Sequence, residues 1–225
     1  MKSGKKAHAI TGLNDVLPKA ELVNRFGSVL TLEEYGKTAL RAIAAKNPGS
    51  LHHVAASVWN RIVQKNWFQV DPQQFAQLFR TADPNLYRAI SELIGTEVIR
   101  DIYWVRGWAS KKKGSSKLVV DLMVAWVFRS DLFLADVTFR DPSRPIPEED
   151  RKFLQTHKGL GLLPALMTNM QRKAEELGCE QLTLVAATVE LAKIFERFGF
   201  VVEDSEIGRR GMRWGVGGIP MERDV

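Results

Sequence analysis

Residues 156–200 read THKGLGLLPALMTNMQRKAEELGCEQLTLVAATVELAKIFERFGF, and this stretch decides the fold class. Lys158-Gly159-Leu160-Gly161 opens it, with two glycines that let the chain turn tightly and let a ligand approach the backbone amides. Leu163, Leu166, Met167, Met170, Ala174 and Leu177 then recur at three- and four-residue steps, the apolar face of a long helix. Gly178 stands where a left-handed residue ends such a helix. Residues 181–187 (QLTLVAA) form a strand. Leu191, Ile194, Phe195 and Phe198 mark a short helix over 189–198, and Gly199-Phe200-Val201-Val202 begins another strand. The first amides of a helix lack internal partners, and its dipole favours negative charge there. A glycine turn running into a helix therefore suits phosphate or pyrophosphate, and Lys158 and His157 add positive charge. Two nucleotide motifs are absent: the third glycine of the dinucleotide fingerprint would fall on Pro164, and no Gly-Lys-Ser/Thr opens the helix.

Upstream, residues 96–106, 117–128 and 132–139 are rich in β-branched and aromatic residues and read as three strands. Short links imply antiparallel pairing. The link 107–116 reads as a flexible loop carrying Lys111-Lys112-Lys113. Residues 140–150 hold three prolines and read as a loop in which Pro147-Glu148-Glu149 starts a short helix. Further back, Thr31-Leu32-Glu33-Glu34 has the spacing of a capping box. Leu40, Ile43 and Ala44 extend that helix to Pro48-Gly49, and Ser50 caps a second helix along Leu51, Val54, Val58, Ile62 and Val63. Asp71-Pro72 and Asp83-Pro84 are cap-then-proline starts of two more. The first 30 residues read as irregular, and 211–216 as the last strand. The order predicts a mixed α/β fold, with a mostly antiparallel sheet flanked by helices. A helical region spans 1–95, with a soft boundary that can include the first elements of the core, and the core spans 96–225.

The glycine turn and Phe195-Glu-Arg-Phe-Gly-Phe200 together resemble the GNAT superfamily of acetyl-coenzyme A-dependent N-acyltransferases, as a divergent member. That family commonly shows Gln/Arg-x-x-Gly-x-Gly/Ala at the start of its long helix and a Tyr-x-x-x-Gly-Phe-like pattern ending a later short helix. The likeness is good over about 156–203 and follows strand order back to 96. Thr156, Thr188 and Phe195 depart from it, standing where the family often has Gln or Arg, Asn, and a thiolate-protonating Tyr. The resemblance implies that acetyl-coenzyme A binds with its pyrophosphate on the amides of Lys158, Gly159, Leu160, Gly161 and Leu162. Its pantetheine arm would run along Val137, Thr138 and Phe139, and Thr188 and Phe195 would lie near it. The thioester would sit where the fourth and fifth strands diverge.

Transfer to an amine needs a base. Asp136, which alternates with Leu134 and Thr138, and Asp121, within LVVDLMV, are the candidates. Each reads equally as a solvent-facing acid on a half-exposed sheet. The acceptor is an amine on a small molecule or a macromolecule. Two other readings stand beside acyl transfer: a degenerate module that binds the coenzyme without turnover, and a nucleic-acid binding or modifying protein that uses the basic loops.

Composition bounds these readings. The 225 residues carry 32 Lys and Arg against 26 Asp and Glu, a net charge of +6, which suits an anionic partner. The basic runs are Lys111–Lys113 and Arg209-Arg210 with Arg213. Arg140, Arg144 and Arg151 read as solvated or as reaching the coenzyme phosphates. The single cysteine, Cys179, excludes an internal disulfide framework and a Cys-based zinc cluster, and fits a cytoplasmic setting. His52 and His53 are adjacent, not at the spacing that puts two ligands on one helix face. No run of ~18 apolar residues implies a membrane span.

Overall fold

A computed structural model describes residues 9–39, 42, 51–69, 71, 73, 86–111, 115–151, 155–215 and 217–225. The elements in chain order are α1 (Lys19–Phe26), β1 (Leu30–Tyr35), α2 (His52–Gln64), α3 (Leu86–Ile94), β2 (Ile99–Lys111), β3 (Ser115–Val127), β4 (Asp131–Phe139), α4 (Leu163–Leu177), β5 (Gln181–Ala186), α5 (Val189–Glu196), β6 (Val201–Val202), α6 (Glu206–Trp214) and β7 (Ile219–Asp224). The strands form one sheet in the order β1-β2-β3-β4-β5-β7-β6. Every pairing is antiparallel except β4 with β5. Among the described residues no helix is long and apolar enough to cross a membrane.

Period-two alternation sends successive strand residues to opposite faces, and each face has its own core. On one side Val105, Leu122, Val124, Leu132, Leu134, Leu182 and Leu184 pack against Leu166, Met170 and Ala174 of α4 and Ala192 and Phe195 of α5. On the other, Ile102, Met123, Ala125 and Phe133 pack against Val54, Val58, Trp59 and Ile62 of α2 and Leu86 and Ile90 of α3. α4 ends as its sequence predicts. Gly178 is left-handed at φ 68°, and the amides of Gly178 and Cys179 return to the carbonyls of Glu175 and Ala174.

Four expectations are corrected. Residues 30–35 form a strand, not a capped helix. Leu30 and Leu32 pack on the core, and Glu34 accepts from the Tyr103 hydroxyl at 2.8 Å and pairs with Lys19, so cross-strand contacts override the local capping signal. The expected loop 107–116 is largely strand, since β2 runs to Lys111 and β3 resumes at Ser115. Residues 9–30, the described part of the first 30, are not irregular: they hold α1, and Leu13, Val16, Leu17 and Leu22 are buried in the first core. The buried carboxylate of Asp101 anchors this segment by accepting from the Ile10 amide at 2.7 Å, and buried Lys173 reaches Asp15. Finally, 206–214 is helix and the last strand is 219–224. Ser205 caps α6 by accepting from the Gly208 amide, while Ile219 and Met221 alternate inward on β7. The expected helical stripe of Leu40, Ile43 and Ala44, the stops and caps at Pro48, Gly49 and Ser50, and the starts at Pro72 and Asp83-Pro84 lie outside the described residues.

Candidate functional site

β4 and β5 pair over four rungs, from Asp131–Gln181 to Leu134–Leu184, and then part. β4 continues to Phe139 beside β3, while Val185 and Ala186 continue beside β7. The parting has a local cause. Along β3, Val124 faces Leu134 but Met123 faces Asp136, so Ala135 is an extra residue on β4. Such a bulge bends its strand and strengthens the twist. Beyond it, the edge of β4 that faces the gap has no strand partner among the described residues.

The fold is GNAT-like. It joins the divergent fourth and fifth strands to a glycine turn and a long helix, the arrangement that the sequence resemblance implies.

In this GNAT-like frame the turn Lys158–Leu162 lies at the end of β4, with Gly159 close enough that an added Cβ would stand 3.6 Å from the Phe139 carbonyl. Gly161 takes φ 75°, a left-handed conformation that glycine adopts without steric cost. Leu160 and Leu162 are buried. Among the described residues the amides of Gly159, Leu160, Gly161 and Leu162 have no acceptor. The Lys158 amide is committed elsewhere, donating to the Arg144 carbonyl at 2.9 Å. α4 has no side-chain N-cap, so its first amides are open to an anion.

Arginines and a lysine surround this turn. Arg25 donates to the Leu160 carbonyl at 2.6 Å. The His157 imidazole is held below its ordinary value by burial and by the positive charges of Lys117, Arg140 and Arg151. Arg140, Arg144 and Arg151 are exposed and gather at the glycine turn. Arg25 and Lys117 carried no signal in the sequence, because both lie far along the chain from the turn.

Asp121 and Asp136 stand on one face of the sheet, diagonal to each other across the Asp121–Thr138 and Met123–Asp136 rungs. Asp121 accepts from the Trp104 indole nitrogen at 2.7 Å and pairs with Arg106 at 3.5 Å. Asp136 is exposed at the mouth of the gap. Surrounding protein and the neighbouring Asp121 charge push its carboxyl above the ordinary range. Thr188 caps α5, accepting from the Leu191 amide at 3.2 Å, and Phe195 is buried edge-on against Phe200.

On the same face as Asp136, a cavity of about 40 Å³ is lined by Ser57, Asn60 and Gln64 of α2, by Arg61 and Glu203, and by Val185, the first β5 residue beyond the last rung. Arg61 is buried and donates to Asp131 at 2.7 Å, to Gln181 at 2.6 Å and to Glu222 at 3.1 Å. Its Nε lies 3.7 Å from Glu203. Burial, opposed by Arg61, pushes the Asp131 carboxyl up to about 6 and raises Glu203 as well. The sequence reading missed this cluster, since its members come from α2, β4, β5, β7 and the residue after β6, and no local motif joins them.

No protein-family model matches the chain, and no curated protein matches it. Solved structures do. The chain is similar to nourseothricin acetyltransferase at 17% identity, over 55% of this chain and 65% of that one, with a TM-score of 0.35. It matches a Bacillus subtilis acetyltransferase solved with coenzyme A at 12% identity, over 54% and 77%, with a TM-score of 0.32. It matches spermidine N-acetyltransferase from Vibrio cholerae at 16% identity, over 88% and 95%, with a TM-score of 0.35. The chain thus spans just under two thirds of the nourseothricin enzyme. Overlaps this loose leave the reading of the site to the chain's own residues.

Proposed function

We propose that the protein transfers an acetyl group from acetyl-coenzyme A to an amine. One observation carries the reading: β4 leaves β5 after Leu134, beside a glycine turn whose amides from Gly159 to Leu162 have no acceptor among the described residues and whose rim is basic. The unpartnered edge of β4 over Val137, Thr138 and Phe139 suits an extended amide-bearing arm, which would pair there as an added strand does. The pyrophosphate would rest on the amides of Gly159 to Leu162 and the start of α4. The Lys158 amide is not among its donors, and the ammonium of that residue remains as a charge.

The acceptor would enter from the α2 face, where the cavity offers Glu203, Ser57 and Asn60. In the reaction the amine nitrogen attacks the thioester carbonyl carbon, the C–S bond breaks, and an N–H proton passes to a base. Asp136 is that base: it is accessible, and its raised pKa moves it towards the range in which a carboxylate takes a proton near neutrality. Asp121, held by Trp104 and Arg106, raises Asp136 through its charge. Phe195 has no hydroxyl, so the departing thiolate takes its proton from another group or from water.

Calorimetric titration with acetyl-coenzyme A tests the reading, followed by thiol release measured across a panel of amines. Micromolar binding with amine-dependent thiol release is expected. Absence of binding overturns the proposal.

A further inference from the structure

The helix α6 has an unusual construction. Its inward residues are glycines: a Cβ on Gly208 would come 2.3 Å from the Glu203 carbonyl, and one on Gly211 would come 2.6 Å from the Gly218 carbonyl and 2.8 Å from Ile219. The helix is therefore pressed backbone-to-backbone on its neighbours. Its exposed residues are Glu206, in the first turn, and Arg209, Arg210, Arg213 and Trp214. Arg209 pairs with Asp204. Among the described residues no carboxylate lies within ion-pair distance of Arg210 or Arg213. Trp214 is 63% exposed, with the Arg213 guanidinium 4.8 Å from its ring centroid. At three- and four-residue steps Arg210, Arg213 and Trp214 share one stripe. A stripe of two guanidiniums without a carboxylate at ion-pair distance among the described residues, with an exposed indole beside them, on a chain of net charge +6, matches a ligand that is both polyanionic and rich in flat rings.

We propose that the outer face of α6 is a docking surface for single-stranded nucleic acid. Arg210 and Arg213 contact phosphates, and a base stacks on the indole face of Trp214 that Arg213 leaves open. An acidic protein would satisfy the arginines and leave the indole exposed, so the aromatic side chain favours nucleic acid. The site is also well placed. Ser205, the cap of α6, and Ile207 in its first turn line the cavity that holds Glu203. Resting on the acyl-transfer reading, this makes the strand the carrier of the acceptor amine.

Fluorescence anisotropy with a labelled oligouridine of about twelve nucleotides, a length within the usual site sizes, tests the surface across a salt series. The wild type is expected to bind with a steep salt dependence. The double variant R210Q/R213Q is expected to flatten the log–log salt slope by about 1.4, two phosphate contacts at roughly 0.7 each for a single strand. W214A is expected to weaken binding about tenfold at every salt concentration with the slope unchanged. Acetyl-coenzyme A affinity and the melting temperature should not move in either variant. The proposal is overturned by absence of oligonucleotide binding, by binding that these variants leave untouched, or by equal affinity for poly-glutamate or for anionic vesicles. If acetyl-coenzyme A fails to bind while the oligonucleotide results hold, the acyl-transfer reading falls and the docking surface stands.

Discussion

Leu134 and Leu184 form the last rung between β4 and β5, and the residue after Leu134 is the bulged Ala135. Strand separation and bulge thus fall at one place in the chain. The gap coincides with a local change in the pleat of β4, and the glycine turn lies at the far end of that strand, beside Phe139. The turn is the simplest part of the site to test.

Gly161→Glu places a carboxylate where the pyrophosphate would rest. An added Cβ meets no heavy atom within 4 Å, so the structural cost is the left-handed conformation alone, about 1–2 kcal/mol. Acetyl-coenzyme A affinity is expected to fall about 100-fold or more, equivalent to roughly 3 kcal/mol. Calorimetry reads the affinity and a denaturant melt reads the fold. Unchanged affinity in the folded variant would remove the turn from the site.

Arg61→Met leaves Asp131, Glu203 and Glu222 without their shared cation. Breaking a buried ion pair by removing one partner costs about 3–5 kcal/mol, and urea denaturation near neutral pH should show a loss of that order. The sign with pH follows from Asp131. Its folded carboxyl is raised to about 6 by burial, so the folded state holds the proton more tightly than the unfolded chain, and stability falls as pH rises through that value. Without Arg61 this effect grows, and the deficit of the variant should be smaller at acid pH than at alkaline pH. A deficit that grew on acidification would show the cluster to be stabilised by its charges.

Asp121→Asn removes the like charge diagonal to Asp136. The Asp136 carboxyl, raised partly by that charge, should then titrate at lower pH. Carboxyl carbon shifts in an NMR titration report the midpoint directly, and amine-dependent thiol release should gain its acid limb at correspondingly lower pH. An unmoved midpoint would mean that the two carboxylates do not sense each other.

Gly211→Ala sets helix propensity against packing. Alanine gains about 1 kcal/mol in a helix interior, but its Cβ would meet the Gly218 carbonyl at 2.6 Å and Ile219 at 2.8 Å. Backbone cannot yield as a side chain does, so the net effect is a loss of about 1–3 kcal/mol, read as a lower urea midpoint. A stabilised variant would show that α6 is free to lift from the sheet.

Residues 156–203 were legible in the sequence because each element there carries its own uninterrupted period and its own stop. β1 was misread because Thr31 and Glu34 have capping-box spacing while Leu30 and Leu32 alternate. Only the distant Tyr103 and Trp108 decide for the strand. α6 was hidden because glycines occupy the inward positions that apolar residues usually mark, and two glycines lower local helix propensity. The glycine turn and the face bearing Asp121 and Asp136 could be read locally. The cavity could not, because Arg61 meets Asp131 and Glu222 across 70 and 161 residues of chain.

β7 lies between β5 and β6 yet follows both in the chain. A growing polypeptide therefore exposes the outer edge of β5 until residues 219–224 leave the ribosome, and β6 has no seat before then. Glu222 arrives with that strand to complete the ring of carboxylates around Arg61. The cavity that holds Glu203 is thus completed only once β7 has been made. Synthesis stalled shortly before this strand would leave an open, half-buried ionic cluster beside a bare sheet edge, a species prone to strand exchange with its neighbours.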